Sequence, residues 1–279
     1  MTFDFETIID RRGKDAVAVD APAVQMSGGF FPETKVQEEF SIIPMWVADM
    51  NFQTAPAVAQ AIRSRADHHL YGYFLPPSQY FQSIINWQKE RNGVTDLKPE
   101  HIGYENGVLG GVVSALRILC SNGDPVLVQT PTYVGFTHSL EDNGWKSVLN
   151  PLKRDAEGIW RMDYEDMERK IIENHVHAAI FCSPHNPSGR VWQAWEIEKA
   201  MEIFARHDVY VIADEIWSDL TLPGYHHIPT QSVSEDARNR TIALYSPSKA
   251  FNLAGLVGSY HIVYNAYLRD RIRREATMT

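Results

Sequence analysis

Between residues 125 and 245 the apolar positions fall in short blocks, at 125–129, 178–182, 209–213 and 242–245, with a half-polar strand candidate at 146–149. Such blocks bounded by turn residues predict strands, and the lack of alternation predicts strands covered on both faces. They recur every ~30 residues with helical patterns between them, as over 195–207, which is the signature of βαβ units and a parallel sheet. Right-handed crossovers follow, so the expected fold class is α/β: a three-layer α/β/α body with a mostly parallel sheet. Ahead of these blocks, helical spacing covers 55–68, with Pro56 at a first-turn position, and 78–91, where Tyr80, Ile84, Ile85 and Trp87 share a face. Between the two lies Leu70-Tyr71-Gly72-Tyr73-Phe74-Leu75, dense enough in aromatics to predict a core or an interface. Gly107, Gly110 and Gly111 stand where another helix begins. Bare backbone N–H groups at the positive end of a helix make a phosphate seat, although glycines there also permit close packing, and the spacing matches neither Walker A nor the dinucleotide fingerprint. The pattern sets an N-terminal arm (1–45) apart from a large domain (46–265) and a basic helix start (266–279).

Composition narrows the class. The 279 residues are 44% hydrophobic and 22% charged, ordinary for a globular protein with a sizeable core. A net charge of −9 argues against nucleic acid or an anionic membrane as the main partner. No apolar run approaches the ~18 residues needed to cross a bilayer. The first residues are acidic and lack a basic n-region, so no signal peptide is expected. Cys120 and Cys182, the only cysteines, sit in apolar surroundings and are expected as free thiols in a reducing, cytoplasmic compartment.

The chemistry sits at the ends of the strand blocks. The block at 242–245 stops at Ser246-Pro247 and is followed by Ser248 and Lys249. By itself Lys249 is either an ordinary loop lysine or a desolvated amine, a better nucleophile able to form a Schiff base. The block at 178–182 ends in Ser183-Pro184-His185-Asn186, and the block at 209–213 ends in Asp214. Alone, Asn186 is a turn residue and Asp214 a helix cap or metal ligand. Strand carboxyl ends are where open α/β sheets bind ligands. Together, an imine-forming lysine, a carboxylate for a pyridine nitrogen and an amide for a phenolic oxygen are what pyridoxal phosphate needs.

The segments Ser183-Pro184-His185-Asn186-Pro187-Ser188-Gly189, Ala213-Asp214-Glu215-Ile216 and Ser246-Pro247-Ser248-Lys249-Ala250-Phe251-Asn252-Leu253-Ala254-Gly255 resemble the class I/II aminotransferase group of fold-type I pyridoxal phosphate enzymes. Trp46-Val47-Ala48-Asp49-Met50-Asn51-Phe52 and Asp214-Glu215-Ile216-Trp217-Ser218-Asp219-Leu220 look more narrowly like its MalY/PatB branch of cystathionine β-lyase-like C–S lyases. The resemblance runs from about residue 30 to the last residue. It implies that Lys249 forms the Schiff base and moves the substrate Cα proton, Asp214 pairs with the pyridinium nitrogen, Asn186 holds the ring oxygen and Tyr133 stacks on the ring. It implies phosphate contacts from Val108 and Leu109 after Gly107, joined by Ser246 and Ser248. Tyr73 is implied to reach a neighbouring subunit's phosphate in a homodimer with shared sites, plain interface packing being the other reading.

This sequence departs from the family's pattern at three places, of which the first, the lack of an arginine from Leu253 to Tyr260 where aminotransferases often carry one for the phosphate, fits the lyase-like branch. Trp217 stands where relatives carry Tyr or His, and an indole is a donor only. Relatives run on for roughly a hundred residues into a small domain that carries the arginine for the substrate carboxylate, so a fragment is expected, with 266–279 the start of that small second domain; Arg269, Arg271, Arg273 and Arg274 are expected to be solvated helix residues rather than substitutes. The expected activity is cleavage of the Cβ–S bond of cystathionine or a related S-substituted cysteine to thiol, pyruvate and ammonia. An aminotransferase is the alternative within the fold, and a non-catalytic pyridoxal phosphate-binding regulator the alternative outside catalysis.

Overall fold

The computed structural model describes residues 3–20 and 43–276. Ser27, Gly28 and Gly29 of the expected arm lie outside the described residues. The helices are α1 (Val17–Asp20), α2 (Pro56–Ala66), α3 (Ser78–Asn92), α4 (Val108–Leu119), α5 (Val134–Asp142), α6 (Tyr164–Asn174), α7 (Ala194–Arg206), α8 (Glu235–Arg240), α9 (Pro247–Ala250) and α10 (Ala266–Ala276). The strands are β1 (Ile102–Glu105), β2 (Pro125–Thr130), β3 (Lys146–Pro151), β4 (Lys153–Arg154), β5 (Trp160–Arg161), β6 (Ala178–Cys182), β7 (Tyr210–Asp214), β8 (Thr241–Tyr245) and β9 (Ser259–Ile262).

Contacts divide the chain into two units, Met1–Gly72 with Phe251–Ala254, and Tyr73–Ala250 with Gly255–Thr279. In the first, Arg11 grips Asp49 in a two-point ion pair, at 2.6 and 3.1 Å, and also donates to Asn51. Asn252 holds the same segment by its backbone: its Oδ1 accepts from the Met50 N–H, and its Nδ2 donates to the carbonyls of Met50 and Phe52. Thr54 donates to the Phe251 carbonyl at 2.7 Å. These bonds bring 251–254 into one unit with the segment around Asp49.

The second unit is built on a seven-stranded sheet, in the order β1-β9-β8-β7-β6-β2-β3. Strands β3, β2, β6, β7 and β8 run parallel; β8–β9 and β9–β1 are antiparallel. The sheet is therefore mostly parallel, as the apolar blocks predict. Both faces are covered. Val126, Val128, Ile180, Ile212, Ile242 and Leu244 pack with Val112 and Leu116 of α4, whereas Leu127, Ala179, Phe181 and Val211 pack with Met167 of α6 and Ile197 and Phe204 of α7. Alternate residues of one strand go to opposite layers, as a two-residue period requires. A third cluster around Ala213, Ala243, Tyr245 and Tyr260 is closed by Ile84 of α3.

Two findings add to the expected pattern. The β1 and β9 strands carry polar residues on short segments, Ile-Gly-Tyr-Glu and Ser-Tyr-His-Ile, and do not stand out as apolar blocks. The start of the expected second domain forms α10, whose Leu268 and Ile272 are buried in the cluster with α4; Arg117 of α4 pairs with Glu275 at 3.1 Å. Arg271, Arg273 and Arg274 are exposed, while Arg269 donates to the carbonyls of Val263 and Tyr264.

Candidate active site

Parallel strands present their carboxyl ends on one edge of the sheet. Asp214 ends β7, and the segment carrying Asn186 leaves β6 directly beside it, because Cys182 is in register with Asp214 and the Ser183 N–H donates to the Asp214 carbonyl. Lys249 follows β8, which pairs with β7 on its other side. Tyr133 follows β2, the next neighbour of β6. Two successive antiparallel pairings return β1 to the direction of β8, so the start of α4 opens on the same edge.

Asp214 is buried at 5% exposure. Among the described residues its carboxylate accepts one hydrogen bond, from the Ile216 N–H at 3.0 Å. Burial pushes its pKa up to about 7; Glu215 adds to the rise, while the Ile216 N–H and the Lys249 charge oppose it. Lys249 is half-buried, and its Nζ lies 5.9 Å from the centre of the Trp217 ring. An ammonium at that distance from an indole face is attracted by the ring. Trp217 thus borders the lysine directly, a proximity that motif spacing did not reveal.

Gly107 caps α4 with φ 81°, a left-handed conformation that favours glycine. No side chain caps this helix, so the first-turn N–H groups, those of Val108 and Leu109 included, have no intrahelical partner and face the edge with the positive end of the helix dipole. Ser246 is buried; its hydroxyl donates to the Gly258 carbonyl at 2.9 Å and accepts from the Ser248 N–H at 3.1 Å. It closes the turn that carries Lys249, a role that its place in the motif does not reveal.

Asn186 is half-buried, and its N–H donates to the Cys182 thiol at 3.4 Å while that thiol donates to the Pro184 carbonyl at 3.2 Å. Burial holds the His185 imidazole down at about 4, assisted by Arg190, and its Nδ1 is 2.8 Å from the Ser188 hydroxyl. Tyr133 caps the start of α5 and meets Phe136 edge-on at 5.5 Å. A side chain at Gly135 would place its Cβ 2.4 Å from the Tyr133 ring and 2.9 Å from Leu109, so this glycine is the ring's seat. The signal lies in the sequence two positions after the tyrosine, but its meaning depends on where the ring turns. Lys249, Asp214 and Trp217 are brought into mutual reach and Asn186 sits on the adjoining strand end. Tyr73 is fully exposed and has no part in this cluster.

The chain is similar to several known proteins. The family model "Aminotransferase class I and II" matches residues 42–277. Cystathionine beta-lyase PatB of Bacillus subtilis is 38% identical over 232 residues, covering 83% of this chain and 58% of the relative. Protein MalY of Escherichia coli is 29% identical over 269 residues, 96% of this chain and 65% of the relative. Thus the chain spans about three fifths of the length of these two curated relatives. Among solved structures, cystalysin from Treponema denticola, which contains a pyridoxal 5'-phosphate cofactor, superposes with a TM-score of 0.90 at 31% identity over 100% of this chain and 68% of that one. The pyridoxal phosphate-bound C–S lyase from Staphylococcus hominis gives 0.85 at 33% identity over 97% and 65%. A match over most of its residues, on a sheet edge that gathers the motif residues, places this chain in the aminotransferase class I and II family.

Proposed function

We propose that this sheet edge binds pyridoxal phosphate and serves a C–S β-lyase that cleaves cystathionine or a related S-substituted cysteine to thiol, pyruvate and ammonia. The observation that carries the reading is Asp214, a buried carboxylate pushed up to about 7 beside Lys249. Left alone it is a costly group; a protonated pyridine nitrogen supplies the donor it lacks. The uncapped start of α4 suits a phosphate, and the half-buried Lys249 suits a carbonyl-reactive amine. The similarity to the cystathionine β-lyases and the C–S lyase supports the choice of reaction.

When bound, the cofactor supplies a protonated ring that accepts the electron pair released at the substrate Cα. The chain's residues do the rest. Asp214 holds the proton on the ring nitrogen, and Asn186 donates its amide to the ring oxygen. Tyr133 covers one ring face from its seat on Gly135. The N–H groups of Val108 and Leu109, with the hydroxyl of Ser248 and that of Ser246 once it turns from the Gly258 carbonyl, take the phosphate. Lys249 would remove the Cα proton and pass it to the sulfur as the Cβ–S bond breaks, so that the leaving group departs as thiol; Trp217 would shield its amine from water. Tyr73, exposed on an apolar stretch with Tyr71, Phe74 and Leu75, serves a homodimer in which each copy completes the other's phosphate site.

The test is a visible spectrum of the chain with added pyridoxal phosphate, before and after borohydride, with Lys249→Ala as control. The expected outcome is a yellow species that borohydride fixes on Lys249. A wild-type chain that stays colourless refutes cofactor binding. Pyruvate release from cystathionine without added keto acid separates the lyase from the aminotransferase, a reading that the family model's own description favours.

A further inference from the structure

Directly after Asp214 the chain carries a second buried carboxylate that the cofactor reading leaves without a role. Glu215 has no exposed surface. Its Oε1 accepts from the Thr230 N–H at 2.8 Å, and its Oε2 lies 2.8 Å from His227 Nε2 and also accepts from the Tyr245 hydroxyl. Its own N–H donates to Leu244 of β8, and its carbonyl accepts from the Ser218 N–H. The other ring nitrogen of His227, Nδ1, is buried without a partner among the described residues. Burial pulls the Glu215 pKa up, but His227, Tyr245 and Thr230 together outweigh it, and the net direction is down. A carboxylate held by three donors stays charged even where water is excluded. The alternation of β7 places Ile212, and with it Asp214, toward the α4 layer. Glu215 goes to the opposite side, where Tyr245 lies in the cluster closed by α3. The two carboxylates stand back to back.

We propose that Glu215 is a positioning residue for Asp214: it pins the turn that carries Asp214 and Trp217 to β8, and its buried charge strengthens the hold of Asp214 on a proton at the cofactor's ring nitrogen. This rests on the pyridoxal phosphate reading. A purely structural anchor holds any ligand of the same shape equally well. A charge behind Asp214 favours only a ligand with a basic nitrogen at that point.

The test compares equilibrium binding of pyridoxal phosphate with that of its 1-deaza analogue, in which the ring nitrogen is replaced by carbon. Both are titrated against wild type, Glu215→Gln and Tyr245→Phe. The wild type is expected to prefer the natural cofactor, and Glu215→Gln to lower that preference about tenfold, the effect of removing one nearby buried charge. Tyr245→Phe removes one of the donors that keep Glu215 ionised, so the carboxylate takes up a proton more readily and the preference falls by a smaller factor, about twofold; it carries the test if Glu215→Gln does not fold. Equal losses for both compounds, leaving the ratio unchanged in the folded variants, overturn the inference alone. A wild-type chain that binds neither compound overturns the cofactor reading, and this inference with it.

Discussion

At the scale of single residues, Asp214 is under opposed demands. Its pKa is raised from the ordinary carboxylate range to about 7 by burial, so the folded chain binds a proton there that the unfolded chain has lost. Its contribution to stability is therefore fully present below about pH 4 and is lost as the pH rises through about 7. Without cofactor, Asp214→Asn removes that penalty: the variant should melt above the wild type at pH 8, with the gap closing toward pH 4 in thermal unfolding. With cofactor the sign reverses, because the asparagine cannot hold a ring proton, and affinity should fall by about tenfold or more. A variant less stable than wild type at pH 8 without cofactor would remove the ground for reading Asp214 as a residue awaiting a partner. Gly135 makes a second case. Gly135→Ala puts a Cβ 2.4 Å from the Tyr133 ring, and overpacking of this kind costs ~1–3 kcal/mol. The displaced ring should also release the cofactor faster, measured by dilution of loaded protein; an unchanged release rate would take Tyr133 off the ring face.

At the scale of elements, α4 connects local conformation with binding. Gly107→Ala forces a Cβ into the left-handed region at φ 81°, a strain of about 1 kcal/mol or more. No atom crowds that position, so the loss comes from backbone conformation alone. Urea unfolding should show a lower midpoint with an unchanged slope, and inorganic phosphate should protect the variant less than the wild type. Sequence patterns exposed the elements unevenly, for reasons that these residues make plain. Of the five parallel strands, β3 at the sheet's edge is half polar and partly exposed, and the other four are legible because burial on both faces demands runs such as Ala-Ala-Ile-Phe-Cys. The outer β1 and β9 are not, because Gly103 and His261 face each other in register and the buried His261 is matched by Glu105 at 2.7 Å; a satisfied polar pair looks like surface in a sequence. In the site, Lys249, Asp214 and Asn186 are legible as strand-end polar groups. The approach of Trp217 to Lys249, the engagement of Ser246 with Gly258 and the Glu215 network are tertiary distances, which spacing along the chain does not encode.

At the scale of the whole molecule, the sheet unit extends to α10. Ile272 is fully buried and Leu268 nearly so, and both belong to the cluster that backs α4. Ile272→Ala should cost ~2–4 kcal/mol and lower the midpoint of a single cooperative transition for the sheet unit. A separate early transition would instead mark α10 as a loosely attached appendage. The order of strands across the sheet carries a further consequence, one of timing. Among the described residues β1 pairs only with β9, although Gly103 and its partner His261 stand 158 positions apart, with β2 through β8 between them in the chain. During synthesis β1 and α4 leave the ribosome early, but β1 finds its hydrogen-bonding partner only after β9 has emerged. Contacts of such long sequence separation form late and slowly, and unpaired strand edges invite misassembly meanwhile. The seat offered by α4 is therefore a late product of folding, and the capacity to bind an anion there should appear only once translation has passed residue 262.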